Sequence, residues 1–169
     1  MNYRRLFIQD SLVFITIVTN DRVPLLVKNI DLLKRAYINV RKYYNFKLIA
    51  YSIQPDHIHF IIKPNYIGDY PKIVKSFKYS ITKFFNVGLV NPTYKKLWQN
   101  RYFEHTITNE EDLNRHLDYI HYNPVKHGFS KNPKEWKYSS FQKFVKNNLY
   151  NINWGNDIDI KNILDMNLE

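Results

Sequence analysis

Apolar positions along the chain recur with two periods, one near two and one near 3.6, and these predict strands and helices respectively. LVFITIVT, residues 12–19, is apolar and β-branched and predicts a buried strand. From Ile30 to Tyr44, Leu32, Leu33, Ala36, Val40 and Tyr43 recur at helical spacing and predict an amphipathic helix. FKLIAYSI (46–53) and HIHFIIK (57–63) predict a second and a third strand. Gln54-Pro55-Asp56 between them is turn chemistry, with proline presetting its own φ, so the two strands form an antiparallel hairpin. In YPKIVKSFKYSITKFF (70–85), Ile73, Phe77, Ile81 and Phe84 share one stripe, with Lys72, Lys75 and Lys83 largely off it. That is a helix with a basic flank. RYFEHTI (101–107) predicts a short strand, and a helix follows, started by Thr108 and Glu111 at capping-box spacing and ended by Pro124.

The order of these elements is strand, helix, strand, strand, helix, strand, helix. Its first six members are the split β-α-β-β-α-β pattern of a ferredoxin-like α+β domain, an antiparallel sheet to which a last helix is added. A chain of 169 residues forms one such domain. Beyond Trp136 it turns partly helical. From about residue 155 it becomes an acidic tail carrying Asp157, Asp159, Asp165 and Glu169.

Strand alternation raises a chemical question at residues 57–63. Ile58, Phe60 and Ile62 share one face and read as core, whereas His57, His59, Ile61 and Lys63 share the other. Same-face residues two apart are roughly 6–7 Å apart along a strand, close enough for two imidazoles to converge on one divalent ion. The last helix carries two stripes of its own. Leu113, Leu117 and Ile120 form a narrow apolar stripe for the sheet; Asp112, His116, Tyr119 and Asn123 form a second, about a quarter turn away. Asn123 offers a hard oxygen suited to Mg²⁺ or Mn²⁺, and Tyr119 a phenol able to act as a nucleophile. Taken singly, such residues are commonly half-exposed strand polar groups or core-edge tyrosines. Taken together they suggest one cleft.

Composition narrows the partner. Lys and Arg number 25 against 15 Asp and Glu, a net charge of +10, and 14 tyrosines and 11 phenylalanines lie among those cations. A positive field attracts polyanions, and aromatic rings stack on unpaired bases. With no cysteine, disulfides and thiolate metal sites are excluded. The N-terminal stretch lacks a signal-peptide layout and its apolar run is too short for a bilayer, so a soluble cytoplasmic protein is expected. Only four glycines occur and none stands in a G-x-x-x-x-G-K arrangement, which excludes a P-loop.

QPDHIHFIIKP resembles the His-hydrophobic-His motif of the HUH single-tyrosine transposases, the IS200-like group. DYIHYNPVKHGF resembles the tyrosine helix of their REP-associated branch, named for repetitive extragenic palindromic DNA. YRR near the N-terminus, WQNRYFEHTI and EWKYSSF are similar to that branch in the same order, so the likeness covers residues 3–154. It implies His57 and His59 as metal ligands, Tyr119 as the nucleophile and Asn123 at the third-ligand position, where insertion-sequence relatives more often use glutamine. It also implies metal-dependent cleavage and rejoining of single-stranded DNA near hairpins through a 5′-phosphotyrosine, with Mg²⁺ or Mn²⁺ as cofactor. The implied protein is a monomer, although the sequence alone leaves a dimer open.

Candidate DNA contacts are Arg4, Arg5, Lys72, Lys75, Arg101, Tyr102, Lys126 and His127, the last two directly after the tyrosine helix. Two other functions fit the same fold: a non-catalytic nucleic-acid-binding regulator, and a metal-dependent phosphodiesterase whose nucleophile is water. The acidic tail reads as a solubilising end, or as a strap that folds over the basic cleft.

Overall fold

The computed structural model of the chain describes residues 6–86, 96–155, 163 and 165–168. The strands are β1 (Val13–Val18), β2 (Phe46–Ile53), β3 (His57–Pro64) and β4 (Phe103–Thr106). The helices are α1 (Ile30–Arg41), α2 (Tyr70–Asn86), α3 (Glu110–Lys126) and α4 (Phe141–Lys146). The strands form one sheet in the order β2-β3-β1-β4, with every neighbouring pair antiparallel. This is the expected ferredoxin-like arrangement, β-α-β-β-α-β followed by helices.

The sheet is covered on both sides, and strand alternation decides what meets what. Val13, Ile15 and Ile17 of β1 and Ile58, Phe60 and Ile62 of β3 pack beneath α1 and α2, against Leu33, Ala36, Val40, Ile73, Val74 and Ile81. Phe14, Ala50 and Ile61 point the other way into a second core with Tyr119 and Ile120 of α3 and Phe144 of α4. All six residues of β1 are buried, as expected of a strand with both faces covered. Burying one such Ile or Phe side chain contributes about 1.5–3 kcal/mol.

Three local expectations are corrected. Helix α1 ends at Arg41, and Tyr43 beyond it is 73% exposed rather than part of the apolar stripe. Helix α3 is capped one residue later than Thr108: Asn109 Oδ1 accepts from the Asp112 amide at 2.8 Å, and the Asp112 carboxylate accepts from the Thr108 amide at 2.9 Å. Pro124 does not end α3 but sits inside its last turn. Proline there removes only its own N–H, while its carbonyl still accepts from the Phe129 amide at 2.8 Å. The terminator is Gly128, at φ +71°, whose amide bonds back to the Val125 carbonyl.

Of the apolar stripe of α3, Ile120 is fully buried as expected, but the polar stripe lies against the sheet as well. His116, Tyr119 and Asn123 are buried, whereas Leu113 and Leu117 are half-buried at the margin of the second core. Hydrogen bonds of His116 and Asn123 and the ring contacts of Tyr119 let this stripe lie against the sheet.

Candidate active site

His57 opens β3 and His59 follows on the same face, both fully buried. His57 Nδ1 lies 2.7 Å from Asp56 Oδ1, and Arg22 also reaches Asp56, at 3.0 Å. Burial pushes the Asp56 carboxyl up, but the bonds from His57 and Arg22 prevail and hold it below its ordinary value. An ionised carboxylate only accepts, so His57 Nδ1–H donates to it. His57 Nε2 faces Asn123 Oδ1 at 3.1 Å. Strand pairing sets Thr16 opposite His59, with Thr16 Oγ1 2.8 Å from His59 Nδ1. The two imidazole centroids are 4.8 Å apart.

Helix α3 supplies the other half. The Tyr119 ring is fully buried, 5.1 Å from the His59 ring and 6.1 Å from Phe14. Lys126 Nζ lies 5.2 Å over the Tyr119 ring and donates to the Met166 carbonyl at 2.6 Å. Asn123, one turn beyond Tyr119, reaches His57. The strand pair and the tyrosine helix therefore meet, as the sequence pattern requires of one site.

The donor set fits a divalent cation. His57 Nε2 and Asn123 Oδ1 face each other at 3.1 Å, a separation that two ligand atoms of one divalent ion can take. Each imidazole is also oriented from behind, by Asp56 or Thr16, as metal-binding histidines commonly are. Two imidazoles and an amide oxygen make a mixed nitrogen and oxygen donor set for a divalent metal ion.

A second polar group stands at the start of α3. Donor atoms of His105, Asp112 and His116 lie within 4.8 Å of one another, close enough in principle to hold a metal ion. Their bonding is already internal. His105 Nε2 lies 2.8 Å from Asp112 Oδ2, and His116 Nδ1 lies 2.8 Å from the Asp112 carbonyl and 3.1 Å from Oδ1. The two rings are near-parallel, 9° apart at 4.6 Å, so their nitrogens do not converge on one point in both ring planes. Burial pushes the His116 imidazole down, leaving a neutral ring that donates. The group clamps β4 to the tyrosine helix. Asp112 and His116 were legible on the helix stripe; His105 was not, because only the register of β4 brings it there. His121, on the same helix, is pushed down to about 3 by burial and lies 2.8 Å from the Ser140 hydroxyl as part of the packing.

The candidate DNA contacts are dispersed. Arg4 and Arg5 lie outside the described residues. Lys72 and Lys75 are exposed on α2, in the layer across the sheet from the histidine pair, and Lys72 pairs with Asp69 at 2.9 Å. Arg101 is exposed, and Tyr102 packs half-buried against the first core. Of the candidates among the described residues, Lys126 and His127 adjoin the site: His127 is exposed, with its ring 5.1 Å from that of His57. A larger apolar groove, about 720 Å³ and lined by Leu33, Tyr37, Phe60 and Phe77, opens on the opposite face, away from these groups.

A β-borne histidine pair, an asparagine and a buried tyrosine on one ferredoxin-like sheet define a class, and residues 9–123 match the family of IS200-like transposases, so the chain belongs to that family. More particularly, it is 36% identical over 177 residues to a Haemophilus influenzae protein assigned to the REP-associated tyrosine transposases, covering 95% of this chain and 96% of that one. It is 35% identical over 158 residues to the REP-associated tyrosine transposase of Escherichia coli K12, covering 92% of each. The solved structure of a REP-associated tyrosine transposase bound to a REP hairpin superposes with a TM-score of 0.86 at 31% identity, covering 99% of this chain and 96% of that one. The chain is a transposase of this branch, as its two motifs suggested. Among the described residues no helix is long and apolar enough to cross a membrane.

Proposed function

We propose that the chain cleaves and rejoins single-stranded DNA beside hairpins, with Tyr119 as the nucleophile. The observation that supports this reading most is the meeting of two elements: the Tyr119 ring 5.1 Å from His59, and Asn123 Oδ1 3.1 Å from His57 Nε2. The Tyr119 oxygen attacks phosphorus in line. A P–O bond forms to the phenol as the bond to the 3′ oxygen breaks; the phenolic proton is lost and the departing 3′ oxygen gains one. The products are a 5′-phosphotyrosine and a free 3′-hydroxyl. The phosphodiester energy is retained in the link, so a second 3′-hydroxyl can displace the tyrosine without a nucleotide triphosphate.

His57, His59 and Asn123 would hold Mg²⁺ or Mn²⁺, which when bound polarises the phosphate. Asp56 and Thr16 fix the two imidazoles, and Lys126 keeps a positive charge against the Tyr119 ring. The hairpin partner is inferred from the relative solved with a REP hairpin, and the net charge of +10 suits it. A cytoplasmic location suits a DNA substrate.

His57, His59, Tyr119 and Asn123 are all fully buried, so a phosphate reaches them only when something moves. Ile163 and Met166 pack in the second core with Tyr119, and the Met166 carbonyl accepts from Lys126. The described part of the tail engages through apolar side chains and a carbonyl; Asp165 is exposed. We read this segment as a strap, 1–169 being one domain.

The test uses a hairpin oligonucleotide with a single-stranded flank, labelled at its 3′ end and incubated with protein and Mn²⁺. Label retained on denatured protein supports the 5′-phosphotyrosine. Cleavage without retention supports a water nucleophile, and binding without cleavage supports a regulator.

A further inference from the structure

Helix α3 ends in a turn that aims an aromatic ring back at the active site. The Gly128 amide bonds to the Val125 carbonyl at 2.9 Å and the Phe129 amide to the Pro124 carbonyl at 2.8 Å, with Gly128 at φ +71°. This paired closure reverses the chain and lays Phe129 over His127. Their rings are 5.9 Å apart and 20° from parallel. Trp136 follows on Phe129 at 5.8 Å and 26°, and Tyr138 on Trp136 at 5.4 Å. The inner end of this row touches the site, because the His127 ring is 5.1 Å from that of His57.

Near-parallel rings whose centroids are 5.8–5.9 Å apart do not lie face to face. Stacked faces touch near ~3.5 Å, so these rings are offset sideways rather than laid squarely over one another. Phe129 is 40% exposed, a large apolar ring that the fold does not cover. The row is held in place beforehand: Trp136 Nε1 donates to the Ile53 carbonyl at 3.0 Å, and the Ile53 amide to the Tyr138 carbonyl at 2.9 Å. Lys131 and Lys137 are exposed beside it, and Lys137 Nζ sits 5.0 Å over the Tyr138 ring.

We infer that His127, Phe129 and Trp136 form a stacking track for the bases of single-stranded DNA flanking the cleaved phosphate. The inference rests on the function proposed above and extends it to the substrate's unpaired flank. Aromatic steps interleaved with lysines suit unpaired nucleotides, since every base has a π face and each linker is an anion. An apolar protein partner would leave the lysines without counter-charges. A duplex keeps its base faces covered and gains nothing from the rings.

Binding is measured in the Tyr119→Phe protein, so that no turnover intervenes, by fluorescence anisotropy with a labelled hairpin carrying a single-stranded flank. Phe129→Ala and Phe129→Leu are each expected to weaken binding about 5- to 150-fold, the range for losing one base–aromatic stack, and Phe129→Trp to restore it. Abasic sites introduced singly along the flank test the contact itself. At one position, removal of the base should weaken binding by the parent and not by Phe129→Ala. Full binding by Phe129→Leu overturns the inference, since leucine keeps packing but no π face. So does strict additivity of protein and abasic losses at every position. Covalent capture by the protein with Tyr119 intact is scored separately, so failure of the nucleophile assignment and failure of the track are distinguishable.

Discussion

Asp112→Ala removes the acceptor that ties the tyrosine helix to the sheet. Its carboxylate takes the Thr108 amide at 2.9 Å, the Thr108 hydroxyl at 3.1 Å and His105 Nε2 at 2.8 Å, with His116 Nδ1 at 3.1 Å. Hydrogen bonds to a charged group each contribute about 1.5–3 kcal/mol, but bonds sharing one acceptor are not additive and this group is partly solvated. A net loss of about 2–4 kcal/mol follows, a fall in Tm of roughly 5–15 °C for a chain of this size. The pH dependence has a definite sign. Burial pushes the Asp112 carboxyl up, but His105 and Thr108 prevail and hold it below its ordinary 3.8. A carboxyl depressed in the folded state stabilises fully above its unfolded value and loses that contribution as pH falls through the folded one. Thermal unfolding followed by circular dichroism should therefore separate wild type from variant at pH 7, and the difference should shrink as pH falls well below 3.8. Equal melting temperatures at pH 7 would refute the clamp. A difference that persists undiminished in acid would refute the role of the charge.

Asp56→Asn keeps the shape beside His57 but loses the carboxylate; Mn²⁺ affinity by calorimetry should fall about 10- to 100-fold, and an unchanged affinity contradicts the assigned orientation of the imidazole. Truncation after Gly155 removes Ile163 and Met166 from the second core and the Lys126 acceptor. It should raise the rate of oligonucleotide cleavage while lowering Tm, and an unchanged rate removes the strap. Gly128→Ala places a side chain at φ +71° where nothing lies within 4 Å, so strain alone acts; a loss of about 1–2 kcal/mol is expected, read as a Tm a few degrees lower.

Much of this was legible in the sequence because strand alternation is strict. The period of two placed Ile58, Phe60 and Ile62 under the helices and His57 and His59 on the other face, as found. Likewise Tyr119 and Asn123, four apart on a helix, had to share a side. What failed depended on contacts between elements distant in sequence. Apolarity alone points Leu113, Leu117 and Ile120 at the sheet; Ile120 is buried there, but no single-chain pattern shows that Thr16 and Asp56 bond the imidazoles beneath a polar stripe that is buried too. His105 escaped notice because its partner Asp112 comes from the next element. Pro124 reads as a stop, although near a C-terminus a proline removes one bond and the glycine at 128 does the stopping. The basic candidates were chosen by charge, which carries no face information; Lys72 and Lys75 accordingly fell on the opposite layer.

The most direct measurement is the position of the covalent link. Protein captured on the hairpin oligonucleotide is digested with trypsin, and the peptide His116–Lys126, which contains both Tyr119 and Tyr122, is sequenced by mass spectrometry. The account predicts the nucleotide on Tyr119, whose ring lies 5.1 Å from His59, and no adduct at all with Tyr119→Phe. A nucleotide on Tyr122, whose ring packs on Trp154, or an adduct that survives Tyr119→Phe, would contradict it.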